Sequence, residues 1–356
     1  MNDRHASGDR QVILGADGAV HVEAVPADPA GGPGDVLLAP VHLGICGSDV
    51  HVLRRSHPFV SPPVVTGHEC VARVLATGPD VTSCAVGDLV VVNPLISCGT
   101  CDRCRAGAAN QCASAKVLGF GLPGLARDRV VVAGRFCHRV PPGVPARTAV
   151  LTEPLAVGWH AAGRAPRPGR TLIIGGGPVG LAVLLALRTR GGAGHITLVE
   201  PVPAKRALAA AFGADEVVAP GELPSGLQVD TAFDCVAVAG TLATAATATV
   251  PGGTLVVVGV PAGDTSLPLA RLQRWEIDVR GTGLYTDEDI AAVLEHLPSG
   301  PDAPDSRDGG DRLPDVTRLI TAAYPVERAA DAFAATGDPD QIKVLIDWPD
   351  PAAPDA

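Results

Sequence analysis

The sequence of 356 residues is poor in aromatic side chains, which make up 3% of it, and it contains a single Met. Its cores must therefore be built from Ala, Val and Leu. Positive charge is also scarce, because 28 Lys and Arg stand against 38 Asp and Glu, a formal net charge of −10. The basic surface that binds nucleic acids or anionic membranes is missing, so we expect neither as a partner.

Long apolar segments are missing as well. The uncharged run at 171–187 is interrupted by Gly-Gly-Gly-Pro and ends at Arg188, so it is too short and too broken to span a membrane. Residues 1–10 are polar and lead into no apolar segment typical of a secretory signal. The cysteines number nine, and four of them lie between residues 98 and 112. This pattern favours metal binding in a reducing compartment over a disulfide framework, and we expect a cytoplasmic protein.

The predicted secondary structure divides the chain into two parts with different textures, that is, different patterns of strands and helices. Residues 1–155 are β-rich, with strands predicted at 35–39, 71–75 and 88–92. From Arg170 onward, predicted strands at 170–174, 195–200, 231–236, 253–259 and 276–281 alternate with helices at 179–187, 204–212 and 241–249. Such alternation predicts βαβ units around a parallel sheet. The chain then offers a helix at 290–297 capped by Thr286 and Asp289, an exposed loop at 298–315, a helix at 326–335 and a strand at 342–347.

The strongest chemical signal is a cluster of four cysteines: Cys98, Cys101, Cys104 and Cys112. Four thiolates this close in sequence wrap one tetrahedral zinc ion and leave no open position, so the metal would be structural. An iron–sulfur cluster also uses four thiolates and is the alternative metal group. Four independent cysteines are the alternative without metal.

A second set of metal-ligating residues is more dispersed. Cys46 stands in the segment GICGSDVH, and it is followed by His68, Glu69 and Glu153. One Cys, one His and one or two Glu hold zinc with a position left for water or substrate in catalytic sites. Asp49 is a suitable acceptor to fix the tautomer of His68. The spacing alone leaves open that these are ordinary core residues.

The segment TLIIGGGPVG at 171–180 runs from a predicted strand into a predicted helix. Gly175 would make the tight turn, Gly177 would let a pyrophosphate approach the backbone, and Gly180 would let the helix pack on the sheet. Glu200 follows the next strand, where a carboxylate accepts the ribose hydroxyls of NAD and repels the extra phosphate of NADP. Lys205 and Arg206 soften that discrimination, and NAD is favoured over NADP.

Taken in order along nearly the whole chain, these motifs resemble the zinc-containing medium-chain dehydrogenase/reductase family, in particular its polyol and threonine dehydrogenase branch. The closing segments GGTLVVVG, EIDVRG and IKVLI share the resemblance. It implies an α/β protein: a GroES-like β-rich catalytic domain at 1–155 and 291–356, with a structural-zinc lobe at about 93–115, and a Rossmann domain with a doubly wound parallel sheet at 156–290.

The resemblance also implies roles for individual residues. Cys46, His68 and Glu69 match the ligands of a catalytic zinc, and Glu153 matches a carboxylate that binds the metal or its water. Ser48 and His51 match the proton-relay positions, and the four clustered cysteines match the structural zinc, giving two zinc ions per chain. The coenzyme residues are Gly175, Gly177, Pro178, Val179, Gly180, Glu200, Lys205 and Val260.

The implied activity is hydride transfer between NAD and a secondary alcohol of a polyol-like or amino-polyol substrate, by a homodimer or homotetramer. An aminocyclitol or amino-sugar dehydrogenase is the alternative enzyme, and a non-catalytic zinc- and NAD-binding protein is the alternative of another class. A zinc-free quinone or enoyl reductase would lack Cys46, His68 and the four-cysteine cluster. The sequence departs from the family pattern at Ala72, at Trp275, at 126–128 and at Arg54, Arg55 and His57. The last three suit either a solvated surface or an oxygen-rich or anionic substrate.

Overall fold

The chain folds into two units that correspond to its two sequence textures. The computed structural model describes residues 8–26, 31–166, 169–261, 263–300 and 312–352. One unit comprises Met1–Glu153 with Thr317–Ala356, and the other comprises Pro154–Val316. Part of the predicted loop at 298–315 lies outside the described residues. Among the described residues, no helix combines the length and apolar character needed to cross a bilayer.

The first unit is built mainly of short strands. They are β1 (Asp9–Leu14), β2 (Val20–Val25), β3 (Asp35–Ile45), β4 (Val64–Val65), β5 (Glu69–Thr77), β6 (Leu89–Val92), β7 (Leu95–Ile96), β8 (Lys116–Val117), β9 (Val130–Ala133) and β10 (Cys137–Arg139). Its short helices are α1 (Gly47–Leu53), α2 (Asp102–Arg105) and α3 (Ala146–Ala149).

The second unit alternates strands and helices, as the sequence predicts. Its elements are α4 (Thr152–Gly163, which begins at the boundary), β11 (Gly169–Ile174), α5 (Pro178–Arg190), β12 (Ala193–Val199), α6 (Pro203–Ala211), β13 (Glu216–Val218), β14 (Val229–Asp234), α7 (Ala239–Ala248), β15 (Thr249–Val257), α8 (Leu269–Trp275), β16 (Asp278–Gly281) and α9 (Asp287–His296). The strands are all parallel, in the order β13-β12-β11-β14-β15-β16. The order reverses between β11 and β14, which is where doubly wound sheets bind ligands.

The chain then returns to the first unit through β17 (Ile320–Pro325), α10 (Ala329–Ala335) and β18 (Lys343–Asp347). The main sheet of this unit has the order β10-β6-β5-β3-β18-β17, with β9 also paired to β3. Strand β3 is antiparallel to both β5 and β18, with Gly44 opposite Glu69 and Ile45 opposite Val344. The end of β3 and the starts of β5 and β18 therefore meet at one edge of the sheet.

Aliphatic side chains fill both cores, as the composition predicts. In the first unit Val36, Leu38 and Ile346 have no exposed surface. In the second unit Leu172 and Phe233 are equally buried, and α5 buries every residue from Gly180 to Leu187. Strands of a parallel sheet covered on both faces read as continuous apolar runs for this reason.

The second unit extends further than the predicted boundary at 291. The capped helix expected from Thr286 and Asp289 is present as α9, and it belongs to this unit. Nδ1 of His160 lies 2.7 Å from Oδ2 of Asp289, and the N–H of Leu313 donates to the carbonyl of His296. These contacts attach α9 and the chain that follows it to the second unit, so the return comes at Thr317.

Candidate metal and coenzyme sites

The four clustered cysteines converge, with their Sγ atoms all within 4.8 Å of one another. The Sγ–Sγ distances are 3.5 Å for Cys101–Cys104, 3.6 Å for Cys98–Cys112 and 3.9 Å for Cys98–Cys104. A disulfide needs about 2 Å. A tetrahedron with zinc–sulfur bonds of about 2.3 Å has edges of about 3.8 Å. The thiol spacing therefore fits a closed structural zinc shell.

Backbone hydrogen bonds favour the thiolate at this cluster. The N–H groups of Thr100 and Cys101 both donate to Sγ of Cys98 at 3.4 Å. Together they lower the pKa of Cys98 to about 5. A thiolate is the form that binds metal, so the loop is arranged for a cation before one arrives.

A second group forms where β3 ends and β5 begins. Ligand atoms of Cys46, His68 and Glu69 lie within 4.8 Å of one another, with Cys46 half-buried and the other two buried. Oε2 of Glu69 is buried and makes no hydrogen bond. A buried polar atom without a partner is costly, and a metal ion would satisfy this carboxylate oxygen. The residues present therefore fit a catalytic zinc with an open position.

Asp49 organises this group from within α1. Its Oδ2 accepts a hydrogen bond from the backbone N–H of Cys46 at 2.9 Å, and its Oδ1 accepts one from the hydroxyl of Thr66 at 2.7 Å. The same Oδ1 lies 3.6 Å from Nδ1 of His68. Burial alone lowers the pKa of His68, but Asp49, followed by Cys46 and Glu153, raises it to about 10. The site is thus strongly anionic, as a cation site should be.

Glu153, at the start of α4, is buried but is not part of the group of three. Its charge acts on the group, because it raises the pKa of both His68 and Lys343.

Lys343 is a residue of this site that the sequence analysis missed. Its Nζ lies 2.6 Å from Oε1 of Glu69. Burial lowers the pKa of Lys343, and the charges of Glu69 and Cys46 more than offset this. A lone lysine in the apolar closing segment IKVLI was the available signal.

The two relay candidates lie on α1 at a spacing of three residues, which places them on one face. Ser48 is half-buried and His51 is exposed. Nδ1 of His51 lies 3.0 Å from the hydroxyl oxygen of Ser56. The pair therefore leads from the half-buried start of α1 to its exposed end.

An aromatic stack lies beside the metal-ligand group. The ring of Phe120 is 4.8 Å from that of His68 and 5.2 Å from that of His57, measured between centroids. Arg54 and Arg55 are exposed, and Nη2 of Arg55 donates to the carbonyl of Ala16. Of the cluster that follows the relay histidine, His57 is the residue brought to the metal-ligand group.

The glycine-rich turn has the geometry expected of a phosphate-binding loop. Gly175 has φ +100°, a conformation that side chains rarely adopt, and a Cβ on Gly180 would lie 1.8 Å from the carbonyl oxygen of Gly175. Helix α5 begins at Pro178 with Gly177 as its N-cap. Because Gly177 has no side chain to accept from the first turn, the N–H groups there remain for an anion.

Glu200 is held rigidly at the end of β12. Its Oε2 accepts from the N–H of Gly176 at 2.7 Å and its Oε1 from that of Val202 at 2.9 Å. Nη1 of Arg206 donates to the carbonyls of Glu200 and Pro201, at 2.9 and 2.6 Å. Arg206 therefore binds backbone carbonyls, contrary to the expectation that it offers its charge to a phosphate. Of the other two predicted coenzyme residues, Lys205 is half-buried and Val260 is 72% exposed.

Trp275, one of the departures from the family pattern, ends α8 with 40% of its surface exposed. Of the four cysteines outside the metal-ligand group and the four-cysteine cluster, Cys70, Cys84, Cys137 and Cys235, the first and third are buried and the other two are half-buried.

Two family models match the chain. The model of the alcohol dehydrogenase GroES-like domain matches residues 32–142, and that of the zinc-binding dehydrogenase matches residues 178–299. Together they cover both kinds of site described above.

Individual proteins are similar over most of the chain. An L-idonate 5-dehydrogenase of Vitis vinifera is 35% identical, over 89% of this chain and 89% of its own. A sorbitol dehydrogenase of Arabidopsis thaliana is 35% identical, over 76% of this chain and 79% of its own. The solved structure of an alcohol dehydrogenase from Thermus sp. ATN1 superposes with a TM-score of 0.83 at 27% identity, covering 95% of this chain and 99% of the other.

Proposed function

The chain belongs to the zinc-containing medium-chain dehydrogenase/reductase family of alcohol dehydrogenases, and from that premise we propose that it transfers a hydride between a secondary alcohol of a polyol-like substrate and NAD. The observation that carries the proposal is the convergence of Cys46, His68 and Glu69, with a buried carboxylate oxygen of Glu69 that makes no hydrogen bond. The relatives named for idonate and sorbitol favour a polyhydroxylated substrate over an aminocyclitol.

Cys46, His68 and Glu69 would hold a zinc ion, with Glu153 close by. Zinc bound there would supply a Lewis acid that lowers the pKa of the substrate hydroxyl. Asp49 holds the N-terminal end of α1 and faces His68, so it orients two of the three ligands at once. The aromatic pair Phe120 and His57 covers the side of His68 and helps to exclude water.

The proton released by the alcohol leaves through α1. Ser48 accepts it at the half-buried end of the helix, and His51 passes it to solvent from the exposed end. Ser56 fixes the ring of His51 through the contact at Nδ1, which leaves Nε2 for the transfer.

NAD would accept the hydride. The start of α5 offers N–H groups to the pyrophosphate, with Pro178 and Val179 in the first turn. Gly175 makes the tight turn, and Gly177 lets the pyrophosphate approach the backbone. The carboxylate of Glu200, fixed by two backbone N–H groups, would accept hydrogen bonds from the ribose hydroxyls of NAD. Its negative charge disfavours the additional phosphate of NADP. Lys205 and Val260 are assigned to the rim of this site.

We also propose that the protein is a homodimer or homotetramer in the cytoplasm. None of the nine cysteines forms a disulfide bond, as is typical of a reducing compartment. Sedimentation analysis of the purified protein tests the oligomeric state.

The function is tested by following nicotinamide absorbance with zinc-loaded protein. The panel contains linear polyols and their keto forms, threonine, inositols and an aminocyclitol, each with NAD and NADP. We expect reduction of NAD with at least one linear polyol. Turnover of the aminocyclitol alone would overturn the substrate class, and binding of NAD without turnover of any compound would overturn the enzymatic proposal.

A further inference from the structure

Lys343 is buried beside the metal-ligand group. Its side chain is 3% exposed, and that of Glu69, its ion-pair partner, is 1% exposed. Nζ donates to Oε1 of Glu69 at 2.6 Å and to the carbonyl of Ile45 at 3.2 Å. A buried ammonium group is costly unless it is paired in good geometry, and these two acceptors supply the pairing.

The strand order brings this lysine to the site from the far end of the chain. Strands β5 and β18 flank β3, and both begin at the edge where β3 ends. Lys343 is the first residue of β18 and Glu69 the first residue of β5, so Nζ reaches across the last residue of β3, Ile45. The pair is therefore set by the backbone of three adjacent strands.

The other oxygen of Glu69 is confined by a glycine. A Cβ on Gly44 would lie 2.0 Å from Oε2, so this oxygen packs where only a residue without a side chain leaves room. Oε2 is buried and has no hydrogen-bond partner. The carboxylate is thus fixed with Oε1 occupied by Lys343 and Oε2 left for a metal ion.

Building on the proposed function, we propose that Lys343 is a positioning residue of the catalytic metal site: by occupying Oε1 it makes Glu69 a ligand through a single oxygen and keeps a coordination position for the substrate. A carboxylate released from the lysine is free to rotate and to offer both oxygens. Lys343 also brings positive charge to a group that contains Cys46, Glu69, Glu153 and Asp49.

The test is a double-mutant cycle of Lys343→Met and Glu69→Gln, read by metal binding. Each full-length protein keeps zinc in its four-cysteine site and receives Co²⁺ at the other site. The affinity for Co²⁺ is measured by competition with a chelator, and the visible spectrum of the bound ion is recorded. We expect Lys343→Met alone to change the visible spectrum, because Glu69 then binds through both oxygens, and to raise the affinity for Co²⁺, because the ion gains an oxygen ligand and loses a neighbouring positive charge.

In the Glu69→Gln background the same replacement should leave the visible spectrum unchanged, because a residue that acts through Glu69 has nothing left to position. The affinity still rises there, since the positive charge beside the ion is removed. Equal changes of the spectrum in both backgrounds would mean that Lys343 does not act through Glu69 and would overturn the proposal. An unchanged affinity and spectrum in Lys343→Met would also overturn it.

Two further variants keep the result interpretable. Arg73→Met breaks another ion pair of β5, to Asp350 at 2.7 Å, and should leave the Co²⁺ spectrum and affinity unchanged. If Lys343→Met does not fold, Lys343→Ala, which also removes the donor to Oε1, takes its place in the cycle. The readout does not require turnover: an inactive wild-type protein contradicts the proposed function, whereas an unchanged site in Lys343→Met of an active enzyme contradicts only the role of Lys343.

Discussion

Oδ1 of Asp49 lies 3.6 Å from Nδ1 of His68, while its other oxygen accepts from the backbone of Cys46. One buried carboxylate therefore contacts two metal ligands that are separated along the chain by α1, a loop and β4. Its hydrogen bond from Thr66 fixes it further, so its orientation does not depend on the metal.

Asp49→Asn should weaken the catalytic metal site without unfolding the unit. The amide keeps one acceptor oxygen, so it cannot serve Cys46 and Thr66 together while facing His68 with negative charge. We expect zinc affinity at this site to fall about 10–100-fold. Zinc analysis after dialysis against a mild chelator measures this, with retention of zinc in the four-cysteine site as the internal control. Full occupancy of both sites would contradict the role of Asp49.

The four-cysteine lobe should depend on its metal for structure. Neither α2 nor the following turn at Ala109–Gln111 has a buried residue, so these two elements are not held by a hydrophobic core. Cys101→Ser should lower the zinc content from about two to about one per chain. The lobe should then unfold locally, so that trypsin cleaves after Arg103 and Arg105. Cys84→Ser, at a half-buried thiol of the same unit, is the matched control. A variant that resists trypsin as the wild type does would contradict this prediction.

Glu200→Gln should shift the coenzyme preference. The amide fills the same space at the end of β12, but it removes the negative charge that disfavours a ribose phosphate. We expect the ratio of kcat/KM for NADP to that for NAD to rise at least about tenfold. Glu222→Gln, an exposed carboxylate of the same unit, should leave the ratio unchanged. An unaltered ratio in Glu200→Gln would show that another residue sets the preference.

The stability of the second unit should depend on pH through Asp289. Burial by itself raises the pKa of Asp289, but hydrogen bonds from His160 and from the N–H of Thr286 bring it below its ordinary value. A lowered pKa stabilises the fold above the unfolded value, about 3.9, and this stabilisation is lost as the pH falls through the folded value.

Asp289→Asn should therefore lower the free energy of unfolding by about 1 kcal/mol at pH 7. The difference from the wild type should shrink as the pH falls below about 4. Urea unfolding across this range measures it, with Glu288→Gln in the same helical turn as the control. A difference that stays constant with pH would contradict the assignment to ionised Asp289.

Much of the fold could be predicted because its signals are local. The alternation of apolar strands and helices gave the parallel sheet, and Thr286 with Asp289 marked the start of α9. Helix α8 was missed because it follows Pro268 without a capping side chain. It ends at Trp275, and the φ of +51° at the next residue, Glu276, cannot be predicted from the residue type. Helix α4 was missed because its apolar residues are not confined to one face and so show no helical periodicity.

The candidate site was predictable only in part. Motif spacing indicated Cys46, His68 and Glu69, and the structure brings them together. The ion pair between Lys343 and Glu69 joins residues from the closing strand and from β5, and only the strand order reveals it. Asp49 contacts Cys46, Thr66 and His68, and this also depends on how α1 packs against the loop that carries Thr66.

The most direct test of the whole account is Cys46→Ser, measured for zinc content and for turnover of the polyol that the wild type oxidises. The serine hydroxyl is a poor zinc ligand, whereas the closed four-cysteine site is untouched. We predict a fall from about two to about one zinc ion per chain and loss of turnover with the fold intact. Full zinc content with undiminished turnover in this variant would contradict the assignment of Cys46, His68 and Glu69 as the catalytic metal site.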